Sequence, residues 1–284
     1  MRATIVFSVA CAIVSGLTAC SAVSPEPSPV SAVLPDPDRG SYRLPLDDYQ
    51  MMSSTVSAYA ESLIDKDCMA DKGFSFEIPD VEEISPVVPA TENRVGRRLF
   101  SPDIAKGFGY HIDDAPDPLL DGLEVADSKP LHEGGEEQLV SCAAERFNEL
   151  PEITPLAQIV TSHYGPMAWG VAVQDSEVLK SAEDWRACME GSDLPGVPST
   201  PLDMPTDSMM VQFSTAEPSE EEIYVAVYDA ECRENSGFSR AIYEAEWNAQ
   251  VDVLAAHFDE LTRAKDMNSA YEDALLQAVR ERSS

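Results

Sequence analysis

The sequence predicts a mainly α-helical domain with long irregular excursions, which extends over residues 41–284. In several segments, apolar residues recur at alternating spacings of three and four, which is the periodicity of one helix face. Residues typical of helix ends, such as proline, acidic side chains and glycine, flank those segments. The hydrophobic content of 44% is sufficient for one or two packed cores.

The chain begins with features of an exported protein. An uncharged, mostly apolar run from Ala3 to Gly16 follows a single arginine and is too short for a transmembrane helix, so residues 1–19 are predicted to be a signal peptide. The ending Leu17-Thr18-Ala19-Cys20 resembles a bacterial lipobox, which implies diacylglyceryl transfer to the Cys20 thiol and cleavage before Cys20. The alternative is an ordinary exported protein that is cut at a nearby alanine.

Residues 20–40 are predicted to form a lipidated, semi-rigid tether. The segment is poor in bulky apolar residues and contains Pro25, Pro27, Pro29, Pro35 and Pro37, a density that disfavours an ordered first strand. A proline-rich segment of this length reaches up to ~60 Å at ~3.1 Å per residue. Two or three acyl chains hold a protein on a membrane more firmly than one does, so we expect lipid anchoring at the extracytoplasmic face of a Gram-positive cell membrane.

The charge of the mature chain limits its partners. Without residues 1–19, 18 basic residues stand against 51 acidic ones, which gives a formal charge of −33. Such a surface repels nucleic acid and anionic lipid head groups. We therefore expect no nucleic-acid partner, while cations, basic peptides or an envelope protein partner remain open.

The first predicted helix runs from Pro45 to Lys72. Proline suits the first helical position, Asp47 and Asp48 suit the positive end of the helix dipole, and Gly73 suits the position after the helix. Its expected apolar face contains Tyr49, Met52, Val56, Tyr59 and Leu63. Residues 74–135, which are rich in Pro, Gly and Asp, predict an excursion with little regular structure, and a helix is expected again over residues 136–147.

The second half of the chain predicts three further helices. One extends over residues 176–190, and a second begins at a capping box in which Glu222 is placed to reach back to the Ser219 N–H. After a break at residues 236–237, a third is expected to present an apolar stripe of Trp247, Val251, Leu254, Phe258 and Leu261. A stripe this regular is typical of a packing seam, and we expect it to pack against the first helix.

Four cysteines are predicted to form disulfides. Cys11 leaves with the signal peptide and Cys20 is acylated, so an even number remains in an oxidising compartment: Cys68, Cys142, Cys188 and Cys232. Sequence alone leaves three connectivities. In each half, a helix ending in Cys-Met is followed by an irregular stretch and a helix with one cysteine, which favours Cys68–Cys142 and Cys188–Cys232 over Cys68–Cys188 and Cys142–Cys232.

This repeated plan suggests a hypothesis of two similar disulfide-linked halves, residues 41–150 and 151–284. Each Met that follows a cysteine is expected to fill the core.

Together with the lipobox, the motif Cys68-Met69-x-x-x-Gly73 and the later Ala226-x-x-Asp229-x-x-Cys232 element resemble a group of uncharacterised actinobacterial lipoproteins. The second Cys-Met departs from that pattern, because Gly191 follows Cys188 by three residues. The resemblance implies a lipoprotein and supplies no activity.

The sequence predicts no catalytic, cofactor-binding or metal-ligating residue. His111, His132, His163 and His257 lack zinc-site spacing, and no nucleophile elbow, Walker loop, dinucleotide fingerprint or EF-hand loop occurs. Adjacent Cys and Met residues on a helix diverge by about 100°, which disfavours a Cu(I) site. The chain offers too many acidic residues for sequence to select a glycosidase-like pair.

The function that these observations favour is a non-enzymatic accessory or binding component of the cell envelope, displayed as an extracytoplasmic lipoprotein. Two alternatives remain at this point. One is a cell-wall hydrolase that uses unrecognised carboxylates, and the other is a carrier of a small ligand or a metal.

We predict that replacing Cys20 with serine leaves an uncleaved or soluble protein, because the serine hydroxyl does not accept the diacylglyceryl group. Membrane fractionation and the mass of the mature chain provide the measurement. A C20S variant that still partitions with membranes at the mature mass would contradict the lipobox interpretation.

Overall fold

The structure, a computed structural model, describes residues 34–51, 54–78, 100–111, 123, 131–192, 194, 196–213 and 217–282. These ranges contain nine α-helices: α1 Ser54–Asp71, α2 Pro102–Phe108, α3 Gly135–Arg146, α4 Gly165–Ala172, α5 Ser176–Met189, α6 Asp207–Gln212, α7 Glu220–Asn235, α8 Phe238–Ala256 and α9 Phe258–Arg282. None of the residues in these ranges lies in a β-strand, although Asp38 and Arg43 form an isolated antiparallel bridge. The predicted mainly α-helical fold is confirmed.

The predicted leader and the lipidation site, residues 1–19 and Cys20, lie outside the described residues. Within the described ranges, no helix combines the length and the apolar character that crossing a membrane requires. The end of the predicted tether is described, and there Leu34 packs against the core cluster that contains Leu46, Val160 and Leu254. Leu34, which lies within the expected tether, therefore already packs against the folded domain.

The first helix is shorter than expected because local hydrogen bonds hold the preceding residues in a turn. The carboxylate of Asp47 accepts hydrogen bonds from the Leu44 N–H at 2.8 Å and from the Gln50 side chain at 3.2 Å. Residues Asp47–Tyr49 form one turn of 3-10 helix, and Gln50 is extended. The predicted end is correct: Gly73 has a φ of +84°, and the Phe74 N–H bonds to the Met69 carbonyl at 2.9 Å.

Within the expected excursion over residues 74–135, the described residues include the short helix α2. Helix α2 begins after Ser101, whose hydroxyl accepts a hydrogen bond from the Ile104 N–H at 3.3 Å. Pro102 occupies the first turn of α2, where its missing N–H costs nothing. Residues 79–99, 112–122 and 124–130 of the excursion lie outside the described residues.

The expected apolar stripe of residues 247–261 is interrupted at His257, where α8 ends and α9 begins. Leu254 and Leu261 are fully buried, whereas Trp247 and Phe258 are half-buried. Helix α1 packs against α9, and α8 packs instead against α4 and α5. The predicted pairing is therefore confirmed in part: Leu46 and Tyr49, at the start of the expected first helix, share a core cluster with Leu254 and Leu261. Helix α1 itself packs on α9, beyond the turn at His257.

Both disulfides form in the favoured pairing. Cys68–Cys142 joins α1 to α3, and Cys188–Cys232 joins α5 to α7, with Cα atoms 5.7 and 5.6 Å apart. The methionine after each first cysteine, Met69 and Met189, is completely buried, as expected of core-filling residues. Each bridge lies within one predicted half, but α1 packs on α9 and α2 packs on α7, so packing crosses the expected boundary at residue 150.

A buried carboxylate, Asp229 of α7, is the centre of a polar network. Its Oδ1 accepts hydrogen bonds from the Trp185 indole N–H and the Arg233 Nε–H, each at 2.8 Å. Its Oδ2 accepts from Arg233 Nη2 at 2.9 Å and from the Tyr110 hydroxyl at 3.1 Å. Burial, and then the negative charge of Asp229, raise the pKa of Tyr110 above its usual range, so the phenol stays protonated and donates. The guanidinium also lies 5.0 Å from the Phe100 ring.

A second buried carboxylate, Glu222, fixes the turn after α2. It accepts the Tyr110 N–H at 2.8 Å, and His111 Nε2 lies 3.2 Å from its other oxygen. Gly109 has a φ of +59°, and a Cβ there would lie 2.5 Å from the Glu222 carboxylate, so this position requires glycine. Ser219 caps α7 as predicted by accepting the Glu222 N–H at 3.1 Å, but the Glu222 side chain bonds to Tyr110, which corrects the reciprocal half of the expected capping box.

We predict that Asp229→Ala destabilises the protein by about 3–5 kcal/mol, because it leaves the buried Arg233 charge without its carboxylate. Glu231→Ala, at an exposed position on the same helix, is the control and should change stability by no more than about 0.5 kcal/mol. Chemical denaturation followed by circular dichroism provides the measurement. Equal effects of the two substitutions would show that the network contributes little.

We also predict that Leu261→Ala costs about 2–5 kcal/mol, because Leu261 is completely buried beside Leu254. Phe258→Ala should cost less, since the Phe258 ring is half-buried and its removal leaves a smaller cavity. Thermal and denaturant melts of the two variants test the order. A larger effect of Phe258→Ala would contradict the break at His257.

Candidate ligand-binding cavity

The residues that sequence analysis singled out do not form a reactive site. Cys68, Cys142, Cys188 and Cys232 are all joined in disulfides, so the thiol and thioether pairs are not soft-metal ligands. Across the described part of the chain, no group of three or more His, Cys, Asp or Glu residues is placed to hold a metal ion. The search for a site therefore turns to cavities.

A cavity of about 400 Å³ lies between α8, the start of α4 and the turn that precedes α1. This volume is within the range of small-molecule sites in proteins, which is roughly 300–1,000 Å³. The lining residues come from three separate stretches of the chain: Leu46, Gln50, Val160, Thr161, Gly165, Pro166, Trp169, Glu246 and Gln250. Thr161 and Pro166 are exposed, so the cavity opens to solvent beside them.

One wall of the cavity is a turn of π-helix, Val160–Tyr164. The Gly165 N–H bonds to the Val160 carbonyl oxygen five residues earlier, which closes the wide turn. A Cβ at Gly165 would lie 2.9 Å from that oxygen, so a glycine permits the close approach. Pro166 then occupies the first turn of α4, where a backbone N–H is not needed. Single π-helical turns are rare and occur frequently at functional sites.

The π-helical wall is attached to the beginning of α9. The Tyr164 hydroxyl donates to Glu260 Oε2 at 2.5 Å, and burial together with this bond raises the pKa of Tyr164 to about 12. The Tyr164 ring also lies 4.6 Å from the His257 ring and 5.0 Å from the His163 ring. These contacts hold the end of the π-helical turn against the break between α8 and α9.

The polar floor of the cavity is a pair of side chains one turn apart on α8, Glu246 and Gln250. Only 2% and 1% of their surfaces are exposed. Glu246 accepts hydrogen bonds from the Tyr42 hydroxyl at 3.2 Å and from the Gln250 amide nitrogen at 3.3 Å. The Gln250 oxygen in turn accepts the Leu46 N–H at 2.9 Å, which fixes the orientation of the amide. Both groups are thus held in place.

The segment of residues 42–50 contributes Leu46 and Gln50 to the lining of the cavity. Tyr42 packs edge-on against Tyr243, with ring centroids 5.1 Å apart, and the Tyr243 hydroxyl donates to the Arg43 carbonyl at 2.9 Å. Gln50, the last residue of this segment, donates from its side chain to Asp47 at 3.2 Å. The 42–50 segment is therefore tied to α8 at several points.

Part of the lining is apolar. Leu46 and Val160 belong to one core cluster, and Trp169 packs with part of its indole against the cluster of Ala172 and Phe238. The indole is half-buried and also lines the cavity. An apolar surface with a few fixed polar groups is the usual composition of a small-molecule site.

Sequence reasoning missed this cavity, although two local signals point to it. Gly165-Pro166 interrupts an apolar segment where a regular helix would need neither residue. Glu246 and Gln250 place two polar side chains on a face of α8 that otherwise carries apolar residues such as Ile242 and Val253.

No family model, no curated protein and no solved structure matches this chain.

Proposed function

We propose that this protein is a non-enzymatic binding component of the cell envelope, anchored on the extracytoplasmic side through a lipid on Cys20, that holds a small molecule in the Glu246 cavity. The observation that carries the proposal is the cavity itself, with two buried and hydrogen-bonded polar groups at its floor and a partly apolar wall. Fixed polar groups give such a site orientation and specificity without further ordering of the protein.

The anchoring part of the proposal rests on the lipobox-like residues that end at Cys20 and on the proline-rich segment after it. Leu34 packs against a cluster that includes Leu46 and Val160, two residues of the cavity wall. A tether that ends there would present the cavity near the point where the chain leaves the domain. The similarity to actinobacterial lipoproteins supports the same location.

Binding is favoured over hydrolysis by the number of carboxylates. Hydrolysis of a glycosidic bond normally uses two carboxyl groups about 5–10 Å apart on either side of the scissile bond. Among the described residues that line the cavity, Glu246 is the single carboxylate. The arrangement can receive a hydrogen-bonding ligand, and it lacks the second acidic group that this reaction requires.

We predict that Thr161→Trp abolishes small-molecule binding, because the added ring occupies the mouth of the cavity while Thr161 itself is exposed. Ser162→Trp is the matched control: it adds the same ring at the next exposed residue of the same turn, which does not line the cavity. The measurement is ligand-observed NMR with a library of water-soluble fragments, with thermal melts to verify folding. If no fragment binds the unmodified protein, or if fragments bind both variants equally, the cavity is not the binding site.

A further inference from the structure

We propose that the ligand of the Glu246 cavity is a neutral sugar, whose ring lies against Trp169 and whose hydroxyl groups bond to Gln50, to Gln250 and to the main-chain carbonyl of Thr161. This inference rests on the proposed function and names the chemical class of the ligand. It follows from a carbonyl that the π-helical turn leaves without a helical donor, from the neutral hydrogen-bonding groups of the lining, and from the apolar surface beside them.

The first step concerns the π-helical wall. A main-chain carbonyl in a helix accepts a hydrogen bond from the N–H four residues later, or five residues later in a π-helical turn. For Thr161 these positions are Gly165, whose N–H bonds to the Val160 carbonyl, and Pro166, which has no N–H. The Thr161 carbonyl thus has neither of its helical donors and keeps its capacity as an acceptor.

This carbonyl lies at the mouth of the cavity. Peptide units in a helix are aligned, so that their carbonyl oxygens point toward the C-terminal end of the helix. The Thr161 oxygen therefore points toward Gly165 and Pro166, and all three residues line the cavity. Because Thr161 and Pro166 are exposed, a ligand that enters from solvent can donate a hydroxyl hydrogen to this oxygen.

The second step concerns the side chains of the lining, which offer both donors and acceptors. Gln50 donates one amide hydrogen to Asp47 at 3.2 Å, and Thr161 donates its hydroxyl hydrogen to the Gln158 carbonyl at 3.1 Å. Gln250 uses one amide hydrogen and its oxygen in bonds within the floor. Within the described part of the chain, one N–H of each amide, the Gln50 oxygen and the lone pairs of the Thr161 hydroxyl are left for a ligand. A hydroxyl group both donates and accepts, so several hydroxyls can match this mixed set.

The third step concerns the apolar part of the lining. Trp169 contributes part of its indole, and Leu46, Val160 and Pro166 add aliphatic surface. A pyranose ring carries C–H groups on its faces and hydroxyl groups around its rim, and its slightly positive C–H hydrogens are attracted to the negative face of an aromatic ring. A sugar therefore matches both parts of the lining. A wholly apolar ligand would displace water from the amides and from the Thr161 carbonyl without replacing its hydrogen bonds, which is costly.

The test compares the methyl glycosides of glucose, galactose, mannose and N-acetylglucosamine with cyclohexylmethanol, which has a six-membered ring and a single hydroxyl. By isothermal titration calorimetry, we expect at least one glycoside to bind more tightly than cyclohexylmethanol, by about tenfold, because several of its hydroxyls find partners in the lining. Binding of cyclohexylmethanol that equals or exceeds that of every glycoside would overturn the inference. Tighter binding of phenethylamine than of every glycoside would also overturn it, since the preferred ligand would then be a cation.

The variant test uses Gln50→Leu, which keeps the approximate size of the side chain and removes its hydrogen-bonding groups. The affinity for the glycoside should fall about three- to tenfold, which corresponds to the loss of roughly one hydrogen bond, while the affinity for cyclohexylmethanol should not fall. Gln158→Leu is the matched control, because it makes the same change at an exposed glutamine that is not part of the lining.

Equal effects of the two substitutions on glycoside binding would contradict the proposed contacts. Thermal melts verify that each variant is folded. If Gln50→Leu does not fold, the comparison of glycosides with cyclohexylmethanol in the unmodified protein decides.

The outcomes separate this inference from the proposed function. If library fragments bind in a manner sensitive to Thr161→Trp while no glycoside is preferred over cyclohexylmethanol, the cavity binds ligands and the inference of a sugar is wrong. A glycoside whose binding is unaffected by Thr161→Trp would bind elsewhere on the protein, which would also contradict the inference. If no compound of any kind binds, the proposed function itself fails.

Discussion

The buried carboxylate of Asp229 joins the turn after α2, helix α5 and helix α7, and the packing of these elements depends on it. A carboxylate in the interior is tolerated when donors surround it, and here an arginine, an indole and a phenol supply four hydrogen bonds. Those donors come from the turn after α2, from α5 and from α7 itself. Arg233 also donates to the Pro201 carbonyl at 2.7 Å, so the 3-10 turn Pro201–Asp203 is held by the same network.

This constraint also explains the spacing of the Ala226, Asp229 and Cys232 element. All three residues are buried on the side of α7 that faces α5, where Asp229 meets Trp185 and Cys232 bonds to Cys188. Ala226 leaves room for the neighbouring core side chains. A disulfide and the hydrogen bond from the Trp185 indole to Asp229 therefore join the same two helices about one turn apart, and a shift of register would break both.

The sequence predicted the features that depend on local residue patterns or on the number and positions of the cysteines. Helix periodicity located most of the long helices, Gly73 marked the end of α1, and the repeated Cys-Met plan selected the observed disulfides. The predictions failed where a side chain competes with the helix. Asp47 bonds to the backbone of Leu44 and delays α1, and the chain turns at His257 without a proline or glycine to signal it.

The cavity escaped prediction for a different reason: its residues are close only after three distant segments have packed. Gln250, for example, accepts a hydrogen bond from Leu46, which is 204 positions away in the chain. In the sequence alone, Glu246 and Gln250 resemble defects in an apolar helix face. Their place in the lining of the cavity is apparent only once the 42–50 segment has packed beside them.

The two disulfides also determine what a protease can release. The bridges enclose loops with sequence separations of 74 and 44 residues, so a single backbone cut between Cys68 and Cys142, or between Cys188 and Cys232, leaves both fragments covalently joined. A chain nicked in residues 79–99 would thus keep its C-terminal helices attached to the N-terminal segment until the bridge is reduced. If the chain is anchored at Cys20 as proposed, release of the whole domain would then require cleavage outside these loops as long as the bridges stay oxidised.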